Sequence, residues 1–248
     1  MKIVVLKFGG TSVADVPQIK KIALKIKEEV ELGNKVIVVV SAMSGVTNNL
    51  IDLVKHTSDF PPYSEYDNVL STGEQVTSAL LAIALERLNL RTRSWLGWQI
   101  PIVTDNTYGK SVIEKIETDN ISTSLEHNEV AVVSGFQGVS SENKITTLGR
   151  GGSDTTAVAM AAAFSADRCD IYTDVDGVYT TDPRIVKRAK KLDIITYEEM
   201  LELASQGAKV LQARSVALAM KYGVNLRVLS SFENLPGTSI IKEGNNME

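Results

Sequence analysis

Ile3-Val4-Val5-Leu6-Lys7-Phe8-Gly9-Gly10-Thr11-Ser12 is an apolar run that ends in a lysine, two glycines and two hydroxyls, ahead of a helical repeat. Residues 3–7 read as a buried strand. A lysine at the exit of such a strand is costly unless an anion or a carboxylate meets it. Glycines let the backbone approach a ligand closely, and a helix N-terminus presents free N–H groups. Together they make a phosphate cradle with its own cation. The plainer reading is a strand-end lysine that reaches water before an ordinary Gly-Gly turn.

Working outward, strand-like and helix-like segments alternate. Ile19, Ile22, Ala23, Ile26 and Val30 recur at helical spacing, with Gly33 as a stop. Val36 to Val40 is a β-branched run suited to a strand covered on both faces. Helices are expected at 47–55, 74–88, 153–164, 197–205 and 208–222. Further strands are expected at 130–133, 171–173, 226–229 and 239–241. The stretch 103–127 is polar and has no assigned path. Alternation of this kind predicts an α/β protein, a three-layer α/β/α sandwich on a mostly parallel sheet. Ligands in such sheets sit beyond the carboxyl ends of the strands. Polar clusters fall where strand runs end, at Lys7-Phe8-Gly9-Gly10, Ser41 to Thr47, Ser134-Gly135-Phe136 and Thr173-Asp174.

The 248 residues are 44% hydrophobic and 23% charged, a balance ordinary for a globular enzyme with a substantial core. A net charge of −4 argues against a general nucleic-acid binder. Cys169 is the only cysteine, which excludes an internal disulfide and a cysteine-rich metal site. No signal-like segment and no run near the roughly 18 residues of a membrane span occurs, so a cytoplasmic location is expected. His56 and His127 read as isolated surface residues, and Trp95 and Trp98 as packing groups.

Leu148-Gly149-Arg150-Gly151-Gly152-Ser153-Asp154 sets an arginine among glycines just ahead of an alanine-rich helix. A helix cap explains Ser153 or Asp154. It does not explain Arg150, whose guanidinium suits a carboxylate brought close by a glycine loop. Ser71-Thr72-Gly73-Glu74 fits a capping box. Thr47 or Ser44 could cap the helix after Val40. Thr173-Asp174-Val175-Asp176-Gly177 reads as a turn, and lacks the spaced ligands of a calcium loop. Lys209, expected in the first turn of a helix, is opposed by the helix dipole unless an anion sits there. No Walker sequence and no protein-kinase signature set occurs.

The stretch from Lys7 to Ser12, with the later motifs, resembles the aspartate kinases of the amino-acid kinase family, from residue 1 to about 241. The resemblance implies one kinase domain over 1–248, with an aspartate-binding lobe at about 1–155 and an ATP-binding lobe at 156–248. It implies transfer of the γ-phosphoryl of MgATP to the β-carboxylate of L-aspartate, the first step toward lysine, threonine and methionine. Lys7, Asp154 and Lys209 would be catalytic, with Asp154 holding the lysines. Ser41, Thr47, Glu74, Arg150, Gly151, Gly152 and Ser153 would bind aspartate, Glu74 through its ammonium and Arg150 through its α-carboxylate. Lys7, Phe8, Gly9, Gly10, Thr173, Asp174, Tyr179, Arg184, Lys209 and Val210 would bind ATP, with N–H groups of Gly9 and Gly10 on phosphate. Mg²⁺ would be held by phosphate and water, with no protein ligands assigned.

Expected partners are L-aspartate and ATP, with a homodimer allowed, and neither nucleic acid nor membrane. Two other readings stand beside this one: a kinase for glutamate, acetylglutamate or a nucleoside monophosphate, and an inactive amino-acid sensor. Aspartate kinases usually continue into small regulatory domains, whereas this sequence stops soon after its last strand. It is therefore read as a truncated or a naturally short enzyme, without assumed feedback inhibition.

Overall fold

Strand parity organises the molecule. In the computed structural model, which describes residues 1–183, 185–207 and 210–243, the opening run forms β1 (Ile3–Phe8), followed by α1 (Val16–Glu31) and β2 (Lys35–Val40). Asp15 caps α1 by accepting from the Gln18 N–H at 2.8 Å. The chain continues through α2 (Val46–Thr57), α3 (Tyr63–Glu86), β3 (Thr92–Trp95), β4 (Ile102–Thr104), β5 (Ile113–Ile116) and α4 (Asp119–Glu126). Next come β6 (Val130–Ser134), β7 (Gln137–Ser140), β8 (Ile145–Thr147), α5 (Gly152–Ala163), β9 (Arg168–Thr173), β10 (Val178–Tyr179) and β11 (Lys191–Leu192). β12 (Ile194–Thr196), α6 (Tyr197–Ser205), α7 (Ala213–Tyr222), β13 (Leu226–Ser230) and β14 (Thr238–Ile241) complete it.

Eight strands form the central sheet in the order β12-β14-β13-β9-β1-β2-β6-β3. The pairs β1/β2, β1/β9, β2/β6, β3/β6 and β9/β13 are parallel, and β14 joins β13 antiparallel. Val4, Leu6 and Phe8 pack with Val36, Val38 and Val40 beneath α1 and α3. Val5, Ile37, Val39, Cys169 and Ile171 face the other way, against α5, α6 and α7. Each fully buried Val, Leu or Ile contributes roughly 1.5–3 kcal/mol of apolar burial. Because β1 and β2 are covered on both faces, three layers result, as the apolar runs predict.

Several expectations need correction. The helix expected at 74–88 starts eleven residues earlier, at Tyr63, so Ser71 and Glu74 are interior residues and form no capping box. The helix expected at 208–222 starts at Ala213. Residues 103–127 supply β4, β5 and α4, and with β7 and β8 make a second sheet in the order β5-β4-β7-β8. The edge strands β3 and β12 had also gone unassigned.

Candidate active site

The carboxyl ends of β1, β2, β6 and β9 lie on one rim of the sheet because these strands are parallel neighbours. Lys7 shares the parity of Val5 and so faces α5. The first turn of α5 carries Asp154, and Lys7 Nζ lies 2.6 Å from Asp154 Oδ1. Both residues are more than 90% buried, which rejects the solvent-reaching lysine. Phe8 has the opposite parity. Its ring is fully buried and stacks on Tyr172 with centroids 4.7 Å apart. The Phe8 side chain is thus committed to the core, which leaves its backbone as the part that can meet ATP.

Gly9 and Gly10 leave room where side chains would crowd. A Cβ at Gly9 would come 3.3 Å from Lys7 Nζ, and one at Gly10 would come 3.1 Å from the Ala42 carbonyl. The Gly9 N–H donates to the Tyr172 carbonyl at 3.3 Å. Of the two glycine N–H groups expected on phosphate, only that of Gly10 lacks a protein acceptor among the described residues. The Ser12 hydroxyl lies 2.5 Å from that of Ser231 and ties this loop to the end of β13.

A cavity of about 470 Å³ opens above Lys7 and Asp154. Ser41, Thr47, Glu74, Arg150, Gly151, Gly152 and Ser153 all line it, so the structure gathers every residue expected for the amino acid. Neither Thr47 nor Ser44 caps α2: Gly45 occupies that position at φ +80° with no side-chain bond. Glu74 is 3% exposed. Its Oε1 accepts the Ala42 N–H at 3.0 Å, while Oε2 has no partner. Burial pushes its carboxyl up to about 7, against the pull of the Ala42 N–H. Arg150 sits exposed on the rim, and its carbonyl accepts from Arg214 Nη2 at 3.1 Å.

Gly151 caps α5 at φ +70°, and a Cβ there would come 2.1 Å from Gln212 Cγ. Only glycine allows both the left-handed backbone and that approach. The free N–H pole of α5 thus points toward the cavity, a favourable place for anionic oxygen.

A second cavity, of about 880 Å³, adjoins the first, and Thr173 lines both. Asp174, Tyr179 and Val210 line it too, as expected for nucleotide. The Tyr179 hydroxyl donates to Asp176 at 2.9 Å, a bond that raises its pKa from the ordinary tyrosine value. Val210 precedes α7 rather than lying within it. Arg184 and Lys209, expected at the phosphates, lie outside the described residues. Phe136 was missed as a lining residue, although the strand-end cluster Ser134-Gly135-Phe136 had marked its position. Arg214 and Asp67, which hold the Arg150 loop from two sides, carried no sequence signal at all.

Comparisons with known proteins place the chain among relatives. A family model described as "Amino acid kinase family" matches residues 2–230. The chain is 52% identical over 252 residues to an aspartokinase of Rickettsia felis, covering 100% of this chain and 63% of that protein. It is 55% identical over 249 residues to an aspartate kinase of Pseudomonas putida, covering 100% and 61%. It thus spans about three-fifths of the length of these curated relatives. Among solved structures, aspartate kinase from Synechocystis superposes with a TM-score of 0.86 at 48% identity, over 96% of this chain and 40% of that one. E. coli aspartokinase III, in complex with aspartate and ADP, gives 0.89 at 27% identity, over 99% and 66%.

Proposed function

Because the chain belongs to the amino acid kinase family, we propose that it transfers the γ-phosphoryl of ATP to the β-carboxylate of L-aspartate, giving 4-phospho-L-aspartate and ADP. One constellation carries the reading: a buried cation, an acid with one free oxygen and a rim guanidinium, Lys7, Glu74 and Arg150, share one cavity. Glu74 and Arg150 suit the ammonium and α-carboxylate of an amino acid, leaving the side-chain carboxylate free to meet the phosphoryl group. The E. coli relative was solved with aspartate and ADP, and the two adjoining cavities here would accept the same pair. Residues up to about 155 supply the aspartate side and later residues the nucleotide side.

In this reading a β-carboxylate oxygen forms the bond to the γ-phosphorus as the bond to the bridging oxygen of ADP breaks. The attacking carboxylate is already ionised at neutral pH, so no base is required. Asp154 acts instead by holding Lys7, whose ammonium meets charge on the transferring oxygens, with the Gly10 N–H beside it. Lys209 supplies a second cation at the nucleotide. Aligning the two reactants can supply roughly 7–11 kcal/mol of barrier reduction.

Among the described residues no three His, Cys, Asp or Glu side chains form a metal cage. The reading has Mg²⁺ held by phosphate oxygens and water, with Asp174 lining the nucleotide cavity beside Thr173, which both cavities share. When bound, the ion neutralises charge on the β- and γ-phosphates. No helix among the described residues is long and apolar enough to cross a membrane; the reading assigns the enzyme to the cytoplasm, where ATP and amino acids are supplied.

The test is ADP release with MgATP across aspartate, glutamate, acetylglutamate and uridine monophosphate. Turnover with aspartate alone is expected. Preference for another acceptor overturns the substrate, and aspartate binding without ADP release overturns the enzyme.

A further inference from the structure

A second carboxylate on α3 is as deeply buried as Glu74 and lies outside the cavity. Asp67 is fully buried, on the same helical face as Glu74 and seven residues before it, about two turns and about 10 Å along the axis. No cation meets it. Its Oδ2 accepts the N–H of Thr147 at 2.7 Å and the N–H of Gly109 at 2.9 Å, and its Oδ1 accepts the Thr147 hydroxyl at 2.8 Å. Burial raises its pKa and these three donors pull it back.

Thr147 ends β8, and Leu148-Gly149-Arg150 follows at once. Gly149, at φ +71°, packs so close to the 105–111 loop that a Cβ would come 3.0 Å from the Gly109 carbonyl. The Leu148 N–H is taken by the Phe136 carbonyl at 2.9 Å. Asp67 thus grips both the strand that leads into the Arg150 loop and the loop that backs it. Glu74, on the same rigid helix, holds the opposite end of the amino-acid site.

We propose that Asp67 is a positioning residue that sets Arg150 at a fixed span from Glu74, with α3 as the gauge between the two ends of the amino-acid clamp. This rests on the aspartate reading for its kinetic consequence, but not for its structural one. The role is one of geometry and acceptor count rather than charge. An asparagine can reproduce it: its carbonyl takes both N–H donors, and its amide donates to the Thr147 hydroxyl, which also accepts. Alanine leaves two buried N–H groups and a hydroxyl without an acceptor.

The experiment compares Asp67→Ala, Asp67→Asn and Thr147→Val with the parent by two readouts. Amide hydrogen exchange is followed at Gly109 and over 147–152, with 173–179 as the internal reference, and KM is measured for aspartate and for ATP. Asp67→Ala is expected to speed exchange at Gly109 and 147–152 but not at 173–179, and to raise the aspartate KM about tenfold while the ATP KM stays within about twofold. Asp67→Asn is expected to restore both to within about threefold of the parent. Thr147→Val, which removes only the hydroxyl contact, stands in if Asp67→Ala does not fold. Its aspartate KM is expected to rise about two- to fivefold. Unchanged exchange at 147–152 in the folded variants, or equal rises in both KM values, overturns the proposal. Faster exchange there in a protein whose parent shows no aspartate-dependent ADP release supports the positioning role and removes the aspartate reading instead.

Discussion

Lys7 and Glu74 are both buried at the cavity, one beside Asp154 and one with a free carboxyl oxygen. Lys7 Nζ pairs with Asp154 at 2.6 Å. Lys7→Ala removes the cation from the transferring group and is expected to lower kcat by about two to three orders of magnitude. It also strands Asp154, so circular dichroism and a thermal melt must accompany the assay; a folded variant within a few-fold of the parent rate contradicts the assignment. The Glu74 carboxyl titrates near 7 in the fold against 4.5 when free, so the folded state binds the extra proton between those values. Its contribution to stability is complete below about pH 4.5 and declines as pH rises to about 7, by roughly 3 kcal/mol. Glu74→Gln keeps the acceptor for the Ala42 N–H and removes that slope. The variant is expected to melt higher than the parent at pH 8, while its aspartate KM rises sharply; urea melts at pH 5 and pH 8 decide it, and an unchanged slope contradicts the assignment.

At the scale of elements, α3 explains both what sequence could show and what it concealed. The long β-branched runs of β1 and β2 are legible because burial on both faces leaves no polar residue to interrupt them. The start of α3 is not, because its buried face carries Asp67, Ser71, Glu74, Thr77 and Ser78. Polar residues at that spacing imitate a helix start. The Ser71 hydroxyl instead donates back to the Asn68 carbonyl at 2.8 Å, inside a helix already running. The small second sheet escaped for another reason. Its strands are three or four residues long, and β5 is only partly buried, so alternation had no length in which to appear. Gly73 fits a capping-box pattern in sequence, yet its role in the fold is packing. A Cβ there would come 2.8 Å from Ala42 Cβ, in the loop whose N–H holds Glu74. Gly73→Ala gains about 1 kcal/mol of helix propensity and meets overpacking of about 1–3 kcal/mol. It is expected to melt near the parent temperature but to raise the aspartate KM about five- to tenfold by displacing Glu74. Steady-state kinetics with a parallel melt checks this, and an unchanged KM shows that the loop yields harmlessly.

Across the whole molecule, chemistry and cohesion are assigned to different buried charges. Lys7 and Asp154 open onto a cavity at the carboxyl rim. Asp170, on the same sheet one strand away, opens onto nothing and is fully buried. It accepts from Arg168 Nε at 2.9 Å and from Arg227 Nε and Nη2 at 2.7 and 2.6 Å, and Arg168 reaches on to Glu29 of α1. The network therefore binds β9, β13 and α1 together. Removing one partner of a buried ion network costs about 3–5 kcal/mol, because the remaining charges stay buried without compensation. Asp170→Ala leaves two adjacent guanidinium groups facing each other, with Glu29 able to meet only one. For a chain of this size that loss corresponds to a fall in Tm of roughly 10 °C. The same variant, assayed well below its melting point, is expected to keep aspartate and ATP KM values within about twofold of the parent, since no atom of Asp170 reaches either cavity. Lys7→Ala should show the reverse pattern, a lost rate in a fold that survives. A differential scanning melt beside a rate measurement on both variants separates the two roles. If Asp170→Ala abolishes turnover at a temperature where it is fully folded, the division between the rim and the network is wrong, and the sheet transmits strain from β9 to the reacting groups.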